Sequence, residues 1–158
     1  MNRKALALLS LLAAALLAVP ALATLPSGVT GVVHARGTVG EKVKIRAAAQ
    51  TELVTQQITI QPGGQTGWHT HPGAALAIVK SGALTVTGAR MTGQGDTMRR
   101  ASRCLTQAYS AGQSFVDPGH GHVHIAQNLG TTPAEVWVTY TGVPPGGAFR
   151  LDAEDPGC

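Results

Sequence analysis

The chain has 158 residues, 12 basic and 8 acidic side chains, and a formal net charge of +4. That length suits one domain of ordinary size and excludes two comfortable ones. Its basic residues are scattered apart from Arg99, Arg100 and Arg103; with no aromatics interleaved, that cluster reads as a solvated loop and speaks against nucleic acid as a partner.

In chain order, the first element is a targeting segment. Arg3 and Lys4 precede a fifteen-residue apolar run, Ala5 to Val19, which Pro20 breaks. Ala21-Leu22-Ala23 then supplies the small-x-small pattern of a signal peptidase site, so residues 1–23 are expected to be a signal peptide cleaved after Ala23. A spanning helix needs ~20 apolar residues, more than this run offers, so no stable membrane anchor is expected after cleavage. No cysteine follows the small residues and no arginine pair precedes the run. The chain is therefore expected to be exported unfolded, secreted or periplasmic, and to acquire any metal outside. Removing Arg3 and Lys4 leaves ten basic and eight acidic side chains, a formal charge of +2.

After residue 24 helical periodicity is hard to find. Short apolar and β-branched runs predict strands at 29–35, 43–47, 53–60, 75–79, 84–87, 113–116, 123–127 and 134–141. Val54, Gln56, Ile58 and Ile60 alternate with Thr55, Gln57 and Thr59, as a half-buried strand should. Val136, Val138 and Tyr140 alternate with Glu135, Trp137 and Thr139 in the same way. Pro62-Gly63-Gly64, Ser81-Gly82, Asp117-Pro118-Gly119 and Gly130-Thr131-Thr132-Pro133 are turn signals between these runs. Many short strands at near-regular spacing predict an all-β fold, a sandwich or a barrel. The polar stretch 88–102 reads as a long surface loop, and the tail from Pro144 as irregular.

Cys104 and Cys158 are the two cysteines. In an exported chain an even pair predicts a disulfide, which would pin the tail. Closing so long a loop is worth ~4 kcal/mol on the chain-entropy estimate, before strain.

Five of the six histidines fall into two clusters. His69-Thr70-His71 sets two imidazoles on one face of a strand, and His120, His122 and His124 repeat that spacing. Imidazoles converging from separate strands build transition-metal sites. His34 stands alone and reads as a satisfied core or surface residue.

These clusters resemble the two motifs of the cupin superfamily. The first motif matches at Gly63, His69, His71 and Gly82, with Ala75 at the glutamate position. The second matches at Gly112, Pro118, Gly121, His124 and Asn128, with one residue too many between Pro118 and Gly121. The resemblance spans about residues 53–142 and extends to small exported single-domain bacterial cupins. It implies an all-β jelly-roll barrel over residues 24–158, with an irregular tail at 143–158 and a metal in the barrel mouth.

Carried over residue by residue, the resemblance makes His69, His71 and His124 metal ligands. Ala75 offers no carboxylate, so three neutral imidazoles would leave a divalent ion its full charge and favour a small anionic ligand. Open positions would suit a catalytic centre. His122 is read as a fourth ligand, or as a pocket-lining group able to act as acid and base, with the extra residue before it forming a bulge. His120 is expected to be exposed and Asn128 to hold a turn. Asp117 and Glu135 are the nearest acids, neither clearly directed inward. Phe115 and Tyr140 are candidates to flank a ligand or to pack the core. Trp68 should point to the barrel exterior or a subunit contact, which leaves a homodimer open.

Imidazole ligation does not choose among Fe, Mn, Zn, Ni and Cu. Two functions remain. One is a metal-dependent enzyme on a small molecule, since three-histidine iron sites exist among cupin-type dioxygenases. The other is a non-enzymatic module that binds a small ligand or the metal. A scaffold without metal fits less well, because all three histidines are present.

Overall fold

The period-two alternation of the sequence is realised as strands, and no helix occurs among the described residues. The computed structural model describes residues 27–92 and 99–158, with side chains 90–103 left out of the description. The expected signal peptide, residues 1–23, lies outside the described residues. Val33–Cys158 forms one compact unit.

Among the described residues, ten strands make two five-stranded sheets. They are β1 (Thr38–Val39), β2 (Glu52–Ile60), β3 (His69–Thr70), β4 (Ala75–Ser81) and β5 (Ala83–Thr92), followed by β6 (Arg99–Ser110), β7 (Gln113–Asp117), β8 (His124–Gln127), β9 (Ala134–Val143) and β10 (Leu151–Asp152). The first sheet runs β1-β7-β4-β9-β2 and the second β10-β3-β8-β5-β6. Every pairing is antiparallel except β1 with β7.

The inward face is set by residue size as well as polarity. In β4, Ala75, Ala77 and Val79 are buried while Leu76 and Ile78 are half-buried on the other face. Val136, Val138 and Tyr140 lie beside them on β9 and Ile60 on β2 of the same sheet, while Leu84 and Ala126 enter the core from the second sheet. Alanines on the inner wall leave space between the sheets, and that space becomes the cavity described below.

Five sequence expectations change. Residues 29–35 and 43–47 form no strand. Their apolar side chains, among them Val29, Val32, Val33 and Ile45, are exposed, so local β-propensity found no partner strand. Of the expected loop at 88–102, residues 88–92 and 99–102 belong instead to β5 and β6, paired from Ala83↔Ser110 to Thr92↔Arg99, and residues 93–98 lie outside the described residues. Gly88 interrupts β5 and the arginine-rich start of β6 lies at the sheet edge, so neither shows the apolar signature of a buried strand, which is why the pattern read as loop. β3 stops at Thr70, one residue short of the expected His69-Thr70-His71 strand, and β10 was not expected in a tail read as irregular. They pair Thr70 with Leu151 and His69 with Asp152, so part of the tail belongs to the second sheet.

The extra residue before His122 makes a turn, not a bulge. Gly119, His120 and Gly121 all take left-handed φ values, of 64°, 52° and 86°. Strand structure resumes only at His124.

Candidate metal centre

Two rows of residues face one another across the barrel mouth. In the second sheet, Gly88 pairs with His124 and His124 with His69. In the first, Asp117 and Tyr140 flank Ala75 on the neighbouring strands. His69, His124, Ala75, Asp117 and Tyr140 all line one cavity, together with His71 just past the end of β3. Counted out into the solvent at its mouth the cavity measures about 440 Å³, so its enclosed part takes only a small molecule.

His69, His71 and His124 are buried, and each offers a ligand atom within 4.8 Å of the others. Their outer nitrogens are already engaged. His69 Nδ1 donates to the Gly67 carbonyl at 2.8 Å, and His71 Nδ1 to the Phe149 carbonyl at 2.8 Å. His124 Nδ1 lies 3.4 Å from the His122 carbonyl and 3.3 Å from Asp117 Oδ2. With Nδ1 occupied, each ring keeps Nε2 as its remaining coordinating atom, the arrangement by which outer partners fix a ligand's tautomer.

Burial is also the main reason these imidazoles stay neutral. It pulls His69 down to about 4, helped by the neighbouring His124, against the Gly67 carbonyl. Burial lowers His71 and His124 as well, opposed by the Phe149 carbonyl in one case and by Asp117 in the other. Neutral imidazole is the form that binds metal, so the triad fits a divalent transition-metal ion.

Sequence reasoning missed Asp117. Its carboxylate is 5 % exposed and directed inward. Oδ1 accepts the Gly119 N–H at 2.8 Å, and Oδ2 accepts a hydrogen bond from His122 Nδ1. Burial alone would raise its pKa. The bond from His122, the charges of His124 and His122, and the Gly119 N–H together hold it below the usual carboxylate range. For His122 burial pulls the other way, and Asp117 outweighs it to raise the imidazole. The signal in the sequence was an acid directly before the motif proline, where the register of β7 alone determines its face.

His122 does not line the cavity. Because it sits in the turn and not on the strand, it escapes the period-two rule that would send it inward with His124. Its ring lies nearly parallel to that of His124, with centroids 5.5 Å apart. Gly88 makes the room: a Cβ there would come within 3.0 Å of the His122 ring and 2.9 Å of His124 Cβ.

The other expectations are placed as follows. His120 is exposed, and its N–H donates to the His71 carbonyl at 2.9 Å. Exposed His34 stacks on Trp137, with centroids 4.9 Å apart. Glu135 is on the outer face, bonded to Gln57, Lys80 and Trp137. Asn128 is fully buried and donates to the Ile60 and Thr132 carbonyls at 2.8 Å each. Tyr140 leans on both His71 and Phe149, and its hydroxyl reaches Gln56 Oε1 at 3.3 Å. Trp68 is half-buried. Cys104 and Cys158 form a disulfide, with Cα atoms 5.6 Å apart.

The cupin-domain family model matches residues 56–140, which takes in both rows of the site. The chain belongs to the cupin family. Germin-like protein 1 of Brassica napus is 29 % identical over 122 residues, 77 % of this cupin and 54 % of that protein. This cupin thus spans about half the length of that curated relative. Among solved structures, an oxalate oxidase is similar at 25 % identity and a TM-score of 0.50, covering 64 % of this cupin and 46 % of that chain. An oxalate oxidase bound to the substrate analogue glycolate aligns at 28 % identity and a TM-score of 0.49, covering 61 % and 45 %.

Proposed function

We propose that this is an exported cupin that holds one divalent transition-metal ion on His69, His71 and His124 and presents it to a small carboxylate ligand. The observation that carries the reading is the shared geometry of three buried imidazoles, each with its outer nitrogen tied and its inner nitrogen free. A bound ion would supply Lewis-acid or redox chemistry and attract a negatively charged group. The similarity to an oxalate oxidase supports a small carboxylate as that group. The protein's own contribution is shape: Ile58, Phe115, Val136 and Val138 wall the cavity and exclude bulky ligands. Tyr140, pushed up to about 12 by burial, stays protonated and donates its O–H to Gln56 Oε1. The disulfide and the leader-like residues 1–23 support export.

In the first reading the carboxylate is a substrate. A second reading, ligand binding without turnover, is favoured by one feature. Besides the triad, the titratable groups that line the cavity among the described residues are Asp117 and Tyr140. Asp117 has both oxygens engaged and Tyr140 holds its proton, which leaves no free general base.

The test begins with elemental analysis of the mature protein from its native compartment, whose N-terminus should be Thr24. Calorimetry should then find oxalate or glycolate binding to metal-loaded protein, and neither binding to His71→Ala. Oxygen uptake and product analysis on the same samples separate the two readings. Stoichiometric metal retained by His71→Ala would sink the site.

A further inference from the structure

Ala75 occupies the position where the cupin pattern carries a glutamate, and Asp117 stands directly across from it. The two are partners in the antiparallel pairing of β4 and β7. Side chains of such a pair leave the same face of the sheet, about 5 Å apart at Cβ. Both line the cavity. An isolated carboxylate buried this deeply would be strongly disfavoured. This one is held in place by His122 Nδ1 and the Gly119 N–H, and it lies 3.3 Å from His124 Nδ1.

We propose, on the reading that the triad holds a metal ion, that Asp117 replaces the absent glutamate as the negative charge of the centre. It is a positioning residue. Its charge acts through the His124 imidazole, and His122 holds it in place. The physical consequence differs from that of a coordinating glutamate. The carboxylate would lower the net positive charge of the centre as a whole without using a coordination position, so one more stays open for a ligand. His122 then has a role away from the cavity. It orients the carboxylate that orients His124, a relay of the kind that tunes ligands from behind.

The test is a four-member cycle: wild type, Asp117→Asn, Ala75→Glu and the double variant, each titrated metal-free with Mn(II) and with Zn(II). Asp117→Asn should weaken metal binding about 10–100-fold. Ala75→Glu should change the wild type little, because the charge is already present. In the Asp117→Asn background it should restore affinity about tenfold or more, the non-additivity expected of residues that share one function. Cobalt-loaded Asp117→Asn should also show a shifted visible absorption spectrum, which a merely structural role would not produce. Unchanged affinity and spectrum in Asp117→Asn would overturn the proposal. So would Ala75→Glu tightening both backgrounds equally.

If Asp117→Asn does not fold, two other variants decide. His122→Gln should weaken binding, and Ala75→Glu alone should still give little gain; a tenfold gain in otherwise wild-type protein would show that no charge was in place. Wild-type protein that binds no metal would remove the functional reading and this proposal together. A metal-binding wild type with an additive cycle removes the proposal alone.

Discussion

His71 donates its Nδ1–H to the main-chain oxygen of Phe149, 2.8 Å away and 78 residues further along the chain. The tail is therefore part of the site. It is held by β10, which pairs with β3 at His69 and Thr70, and by Cys158 bonded to Cys104. Cutting that bond, by reduction or by Cys158→Ser, should cost up to ~4 kcal/mol of stability on the loop-closure estimate for a separation of 54 residues. Metal affinity should fall with it, because His71 loses a fixed acceptor. Denaturant titration and metal titration of oxidised and reduced protein check both effects, and unreduced protein should show no titratable thiol.

Stability of the metal-free protein should fall as the solution is acidified from pH 7 toward 4. His69 has a pKa of about 4 in the folded state, against about 6.5 in an unfolded chain. Between those values the unfolded state binds more protons, so stability drops with falling pH. His71 and His124 are shifted in the same direction and add to the slope. His122 is shifted upward and opposes it, but it is one group against three. Thermal midpoints across this range should show the decline, and His69→Gln should flatten it. Bound metal should steepen it, since acid also displaces the ion from its ligands.

Gly88→Ala should damage the centre without touching a ligand. The added methyl would meet the His122 ring at 3.0 Å and the His124 Cβ at 2.9 Å. Overpacking of this kind costs about 1–3 kcal/mol, and here the relief is displacement of β8, which carries His124. Weaker metal binding with a modestly lower melting temperature is expected. Normal affinity would mean that the His122 turn yields freely.

Asn128→Ala should be among the most destabilising single changes in the barrel, on the order of 3 kcal/mol for three hydrogen bonds lost in a dry interior. Its amide bonds the Ile60 and Thr132 carbonyls, and its oxygen accepts the Gly130 N–H at 2.9 Å. Ile60 ends β2 and Thr132 precedes β9, so the side chain ties two strands of the first sheet to the end of β8. Urea unfolding should show the loss. Metal affinity measured under native conditions should change far less than it does in the Gly88 variant.

What the sequence determined by itself is local. Histidines two apart at 69 and 71 must share a face wherever the chain is extended, and a lone glycine, proline or asparagine at fixed offsets marks a turn. Such patterns predicted an all-β fold, a sandwich or a barrel, and the even cysteine pair predicted the disulfide; the jelly roll and the set His69, His71 and His124 came from the resemblance to cupins. Tertiary structure decided everything that depends on which strand lies beside which. The register of β7 against β4 turns Asp117 toward the cavity and sets it beside Ala75. A left-handed turn takes His122 off the strand and away from the cavity, although its spacing from His124 matches that of His69 from His71. Pairing of β10 with β3 brings Phe149 to His71 from a tail with no pattern of its own. The physical reason is common to all three. A one-residue change of register or a single turn reverses the direction of a side chain, and the free energy that selects the register comes from distant partners.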